Sequence, residues 1–331
     1  MASTRSRMLH NAQHNANDEF YTRLDTIEQE FAHYDPKAFA GRTIYCPCDN
    51  PTCSMFVRFL LDHHAALRWS RLIASCWANP QPSLFSIESH PFLPMLLDVT
   101  RPPAPGMPVA WAACMPGNTL SRLDGDGDWR SAECSRLREQ ADLIVTNPPF
   151  GGARQLIGTL LNERKDMLLL SPLTVVNEPA IFQAIQEGRL RLGATMHAGA
   201  AKYSIPDTTP INAASGGTDG QGRYIRVTGV RWFATLPHDH TPAFRPHAHY
   251  DPGCHPMFDG TRIINCDRAK DMPADWDGLM GVPLTFLDKW DPAMFDLEGM
   301  LGSRRDMGGP AMIDGRERFT RLIVRRRTSC R

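Results

Sequence analysis

The sequence contains no apolar run near the ~18–20 residues that a membrane-spanning helix requires. It carries no excess of either charge, with 36 Lys and Arg against 36 Asp and Glu, so a uniformly basic nucleic-acid coat is excluded, although segregated charge is not. Its nine cysteines are odd in number and irregularly spaced along 331 residues, which gives no disulfide framework. No Gly-x-Ser-x-Gly elbow of a hydrolase is present. Residues Met1–Asn17 are polar and lack the apolar stretch of a secretory signal. A cytoplasmic protein with reduced thiols and no membrane partner is therefore expected.

What is present is an ordinary globular composition, 42% apolar and 22% charged, in a chain long enough for about two domains. From Gly41 onward, short apolar runs alternate with amphipathic stretches, the pattern of a parallel sheet with covering helices. Strands are predicted over Arg42–Cys48, Arg71–Cys76, Pro108–Cys114, Asp142–Thr146, Met167–Ser171, Leu190–Met196 and Tyr224–Ala234. Helices are predicted over Leu24–Phe31, Ser54–Leu67, Ala153–Asn162 and Pro179–Glu187. Ala198–Arg223 reads as a loop. After Pro237 the composition turns rich in His, Pro, Gly and Arg, so two regions are expected, 1–237 and 238–331.

The sharpest motif is Asn147-Pro148-Pro149-Phe150, directly after the strand Asp142–Thr146. In open parallel sheets ligands bind beyond the carboxyl ends of the strands. Two prolines stiffen the backbone and remove two N–H donors, leaving carbonyls that only accept. The Asn147 side chain adds another acceptor. Such a corner suits an NH2 group on a planar ring, with Phe150 beside it for stacking. Holding both N–H bonds localises the amine lone pair and aims it at an activated methyl group. The competing reading is a structural turn.

Other clusters are weaker. Asn17-Asp18-Glu19-Phe20-Tyr21-Thr22 suits either the amino-acid end of a cofactor or a cap for the helix that follows. Cys46-Pro47-Cys48-Asp49-Asn50-Pro51 closes the first strand without glycines, which argues against phosphate binding and favours a nucleoside cofactor. Cys46, Cys48 and Cys53 lack a fourth ligand at zinc spacing, so no metal is expected there. Asp124-Gly125-Asp126-Gly127-Asp128-Trp129 departs from a calcium loop at its sixth and twelfth positions. It reads either as an acidic turn or as acceptors and a ring for an adenine. The histidines between His238 and His255 read as a solvated loop. At the C-terminus, nine arginines from Arg304 to Arg331 face three carboxylates, which suits a solvated tail or phosphate contact.

In this order the segments resemble the EcoRI-type adenine-specific DNA methyltransferases. The resemblance runs over nearly the whole chain. It rests on Asn17–Thr22, on Cys48–Pro51 with Ser54 and Phe56, and on Asn118–Leu123 running into Gly125–Arg130. It continues through Asn147–Phe150 and ends on Asp277–Gly281 and Val282–Lys289, a stretch with no evident chemistry. It implies an α/β class I methyltransferase fold, Rossmann-like and doubly wound with a mostly parallel sheet, and a C-terminal specificity region. It also implies S-adenosylmethionine as cofactor and transfer to N6 of adenine in double-stranded DNA.

By position, Asn147, Pro148, Pro149 and Phe150 would be catalytic. Asn17, Phe20, Tyr21, Thr22, Cys48, Asp49, Asn50, Pro51, Asp126, Asp128 and Trp129 would hold the cofactor. Arg304, Arg305, Arg325, Arg326 and Arg327 are the candidate DNA contacts. A monomer is expected, with a companion restriction endonuclease as a possible partner and no direct contact implied. The sequence departs from the usual pattern at the end of the second strand, where Cys76-Trp77-Ala78-Asn79 offers no carboxylate for a ribose and Glu88 is the nearest candidate. The acceptor corner would also serve cytosine N4, an RNA adenine or a protein glutamine, and a silent DNA-binding module is the rival outside enzymes.

Overall fold

The computed structural model describes residues 21–78, 93–197, 200–205, 216–240, 242–302 and 309–327. They form two compact units. One comprises the described residues up to Pro172 together with Gly193–Asp239, and the other comprises Leu173–Leu192 and His240 onward.

The first unit contains strands β1 (Tyr21–Thr22), β2 (Thr43–Cys46), β3 (Arg71–Ser75), β4 (Met95–Val99), β5 (Thr119–Arg122), β6 (Leu143–Thr146) and β7 (Asp166–Pro172). It continues with β8 (Ala200–Ser204), β9 (Gly216–Asp219), β10 (Gly222–Thr228) and β11 (Val230–Ala234). Seven of these build the large sheet in the order β5-β4-β3-β2-β6-β7-β11. The central four, β3, β2, β6 and β7, are parallel, whereas β4 and β11 run against their neighbours. Every residue of β6, Leu-Ile-Val-Thr, is buried, as expected of a strand covered on both faces. A class I, mostly parallel α/β sheet is thus observed.

Helices α1 (Leu24–Phe31), α2 (Met55–Asp62), α3 (Val109–Ala113), α4 (Ala132–Glu139) and α5 (Phe150–Asn162) accompany this sheet. The Ser54 hydroxyl caps α2 by accepting from the Phe56 and Val57 N–H groups. The buried Phe56, Val57, Phe59, Leu60 and Leu61 of that helix join a core with Ile44, Leu143, Leu168 and Trp232.

Several local expectations change. Pro108–Cys114 is the short helix α3 and not a strand; Pro108 sits at its N-cap, where the missing N–H costs nothing, and alanines favour the helix. The run Tyr224–Ala234 is two strands, because Gly229 turns with φ +82° and passes the chain from one sheet to the other. Ala198–Arg223 contains β8 and β9, which pair with β10 and β1 in a second antiparallel sheet of order β1-β8-β10-β9. Within Leu190–Met196 only Arg191–Leu192 is a strand. There the buried Glu30 carboxylate takes the Ala194 and Thr195 N–H groups, both at 2.9 Å, that a longer ladder would have used. Helix α1 has Arg23 at its N-cap, with no side-chain capping bond; Asn17 and Asp18 lie outside the described residues.

The second unit holds helix α6 (Pro179–Gln186) and strands β12 (Ile264–Asn265), β13 (Met280–Pro283), β14 (Phe295–Leu301) and β15 (Arg321–Arg326), ordered β12-β13-β15-β14. The stretch from Asp277 to Lys289 supplies β13 and a buried turn carrying Phe286, Leu287 and Asp288. Gly281 lies so close to the Phe258 ring that a Cβ there would stand 2.4 Å from it. Met280–Val282 and Phe286–Asp288 are therefore core. No helix among the described residues is long and apolar enough to cross a membrane.

Candidate functional site

Parallel strands in register place their carboxyl ends side by side, and the motifs gather there. Asp49 follows β2, and its N–H donates to the Ser75 carbonyl at the end of β3, at 3.0 Å. Its carboxylate, 7% exposed, accepts from the Ser54 hydroxyl at 2.8 Å and from the Thr146 hydroxyl at 2.6 Å. Ser54 caps α2, and Thr146 is the last residue of β6, immediately before Asn147. One carboxylate therefore ties the tip of the first parallel strand, the start of its helix and the root of the Asn-Pro-Pro-Phe corner. Sequence reasoning placed Asp49 and passed over Thr146; a hydroxyl ending an otherwise aliphatic strand was the available signal.

Asn50 and Pro51 shape the turn between these elements. The Asn50 side chain accepts from the Thr52 N–H and hydroxyl, and its carbonyl accepts from Ser54 N–H. Cys48 precedes Asp49; burial and the neighbouring carboxylate push its thiol well above the ordinary value, as they do for Cys46. These thiols stay protonated at neutral pH and are not nucleophiles. Among the described residues no group of three or more His, Cys, Asp or Glu is placed to hold a metal ion.

The acidic loop comes to the tip of β3. The Ala78 N–H donates to the Asp126 carbonyl at 2.7 Å. Gly127, at φ +77°, lies with its Cα so near Cys76 that a Cβ would stand 2.1 Å from the Cys76 carbonyl oxygen; only glycine allows this approach. The Asp126 carboxylate accepts from Asp128 N–H. Asp128 is engaged by Arg130, whose guanidinium pairs with it and lowers its pKa. Trp129 is buried, its carbonyl accepting from Arg138, which also pairs with Glu163. A Cβ on Gly152, in the first turn of α5, would lie 3.6 Å from the Trp129 indole nitrogen, so the loop also reaches the corner after β6.

In the corner itself, Asn147 and Pro149 are half-buried, and Pro148 and Phe150 are buried. The Pro149 carbonyl accepts from the Gly152 and Ala153 N–H groups and is committed to α5. The Phe150 ring meets the fully buried Tyr203 of β8 edge-on, with centroids 6.4 Å apart. Tyr203 is in turn paired across strands with Thr22 in β1. Tyr203 lay in a stretch read as loop, so its contact was not foreseen.

Tyr21 is described as part of β1, whereas Asn17, Phe20, Glu88, Arg304 and Arg305 lie outside the described residues. Arg325, Arg326 and Arg327 belong to the second unit, and each faces a carboxylate: Glu298, Asp277 and Asp296 respectively.

A mostly parallel sheet with the Asn147–Phe150 corner after its third parallel strand in chain order matches a class I methyltransferase fold. The family model for adenine-specific methyltransferase EcoRI matches residues 8–327, and the chain belongs to that family. It is a DNA adenine methyltransferase and uses a methyl donor. Among its relatives, the Type II methyltransferase M.EcoRI of Escherichia coli is 29% identical over 88% of this chain and 88% of its own length. The Type II methyltransferases M.MgeORF184P of Mycoplasma genitalium and M.MpnI of Mycoplasma pneumoniae are 27% and 28% identical, over 94% of this chain and 96% and 95% of theirs. No solved structure matches the chain.

Proposed function

We propose that the protein transfers a methyl group from S-adenosylmethionine to N6 of an adenine flipped out of a specific double-stranded DNA site. The observation that carries this reading is the Asp49–Thr146 bond, which holds the tip of β2 and the root of the Asn147 corner as one assembly. The donor set suits the cofactor. That molecule carries positive charge and no phosphate, and the strand tips offer the carboxylates Asp49 and Asp126 with small neighbours and no phosphate-cradling glycine turn. When bound, it would supply an electrophilic methyl group.

The chain's own groups do the rest. Asp49, set by Ser54 and Thr146, orients the amino-acid end together with Asn17, Phe20, Tyr21, Thr22, Cys48, Asn50 and Pro51. Asp126 and Trp129 face the adenine end, and Asp128 holds Arg130 beside the ring. The Asn147 Oδ1 and the Pro148 carbonyl accept the two N–H bonds of the target amine, while Pro149 locks the corner onto α5. Phe150, its plane fixed by Tyr203, stacks on the extruded base. No strong base is needed, since the amine sheds its proton readily once alkylated. Extrusion costs a few kcal/mol, which stacking and phosphate contacts offset. The first unit carries this chemistry, and the second, with Arg304, Arg305, Arg325, Arg326 and Arg327, reads the target. The protein acts as a cytoplasmic monomer beside a companion endonuclease.

The test is Asn147→Ala, followed by nucleoside mass spectrometry of plasmid DNA and by calorimetry with S-adenosylmethionine. N6-methyladenine vanishes while cofactor affinity stays within about threefold. Equal loss of cofactor binding, or N4-methylcytosine as the wild-type product, refutes the assignment.

A further inference from the structure

The second sheet of the first unit has two unlike faces. Strand alternation puts Tyr203, Ile225 and Val227 on one face, where Tyr203 is core and the other two pack against it. The opposite face carries Lys202, Tyr224, Arg226 and Asp219. Lys202 and Arg226 stand directly across from each other in the β8–β10 ladder, an arrangement that like charges disfavour. A third cation, Arg23, lies just beyond β1. All three gather on one ring: Lys202 Nζ is 4.6 Å, Arg226 Cζ 5.1 Å and Arg23 Cζ 5.6 Å from the Tyr224 centroid. Gly217 makes room for that ring, since a Cβ there would stand 2.9 Å from the Tyr224 hydroxyl.

The counter-charge is short. Asp219 accepts both arms of Arg23, at 3.0 and 3.1 Å, and shares its second oxygen with Lys202 at 3.1 Å. Asp25 adds a contact to Arg23. Arg226 is exposed and has no carboxylate partner among the described residues, donating instead to the Tyr224 hydroxyl at 2.8 Å. Arg325–Arg327 in the second unit contrast with it, each facing its own carboxylate. A face with crowded, under-compensated cations is built to take an anion. Its reverse side holds Tyr203 against Phe150 of the amine corner, so the anion belongs beside the reacting base.

We infer that the Lys202–Tyr224–Arg226 face is a DNA-backbone contact of the methyltransferase, binding a phosphate close to the target adenine. The inference rests on the DNA-methylating function proposed above. Lys202 and Arg226 take the phosphate oxygens. Arg23 stays with Asp219 as the buried support that keeps Tyr224 in place.

The test compares the full-length protein with Lys202→Gln/Arg226→Gln in fluorescence anisotropy with a random-sequence ~30-bp duplex across a salt series. Two lost phosphate contacts make the slope of log affinity against log salt shallower by about 1–2 and weaken binding about ten- to hundredfold at ~0.1 M salt. Affinity for S-adenosylmethionine is unchanged, and Lys202→Arg/Arg226→Lys keeps the slope. Should the double variant lose cofactor binding through misfolding, Arg226→Gln alone, at an exposed side chain, shows a slope change of about 1. An unchanged slope in variants that bind cofactor overturns the contact. Wild-type protein that leaves no N6-methyladenine in plasmid DNA overturns the underlying function instead.

Discussion

Replacing Thr146 with Val keeps the shape of the side chain and deletes one donor to Asp49. The bond removed is a 2.6 Å hydroxyl–carboxylate contact between groups that are 0% and 7% exposed. A hydrogen bond to a charged acceptor contributes about 1.5–3 kcal/mol, and a buried carboxylate that loses one pays the desolvation cost in full. For a unit of this size each kcal/mol lowers the melting temperature by about 2–4 °C, so a drop of about 3–12 °C is expected. The same energy, felt by a cofactor that leans on Asp49, corresponds to roughly a 10- to 150-fold loss of affinity. Thermal melts and calorimetry with S-adenosylmethionine read both effects. A double-mutant cycle with Asp49→Asn then isolates the pair, with a coupling of about 1 kcal/mol or more expected. A Thr146→Val protein within about 0.5 kcal/mol of wild type, with unaltered cofactor affinity, would show that the bridge does not organise the site.

Three further outcomes are expected. Gly127→Ala forces a methyl group onto the Cys76 carbonyl at a left-handed position, which costs at least about 1–3 kcal/mol and weakens cofactor binding; an unshifted melting curve with normal binding would contradict the close approach. The Arg23 guanidinium holds the Asp219 carboxyl at about 2 against an ordinary 3.8. The folded value lies below the unfolded one, so this pairing supports the fold above about pH 4 and fades as the pH falls toward 2. Asp219→Asn flattens that stretch of the stability profile in urea melts, and parallel profiles would exclude the pairing as its source. Brief alkylation at neutral pH, followed by peptide mass spectrometry, labels the exposed Cys114 ahead of Cys46 and Cys48; early labelling of Cys48 would mark an activated thiol.

The parallel core was legible because β2, β6 and β7 are short, largely apolar runs bounded by turn residues, and polar motifs follow the tips of β2 and β6. Asn147–Phe150 could be placed after β6 from pattern alone. The two strands Met95–Val99 and Thr119–Arg122 were hidden, one by the prolines around it and the other by a polar sequence that suits an edge. The second sheet was illegible for a different reason. Its strands are short and rich in Gly, Lys and Arg, and their burial depends on Tyr203 and Tyr224 finding partners far away in sequence. Thr146 and Glu30 escaped for the same cause: each acts through a distant partner, Asp49 and the loop at Ala194, which only the folded chain brings near. The arginines near the C-terminus were visible as a positive run, but cross-strand neighbours such as Asp296 supply their counter-charges, and a linear reading does not see across strands.

Residues Leu173–Leu192 leave the first unit for the second before the chain returns at Gly193. The polypeptide therefore changes unit three times, and neither half is a contiguous stretch. A single cut after Pro237 would sever α6 from its own unit, including the bond from the Gln186 side chain to the Leu297 carbonyl. Moving the second unit as a whole into another chain thus requires two linked transplants, the segment around α6 and everything beyond Asp239. A one-crossover chimera would inherit a mismatched helix.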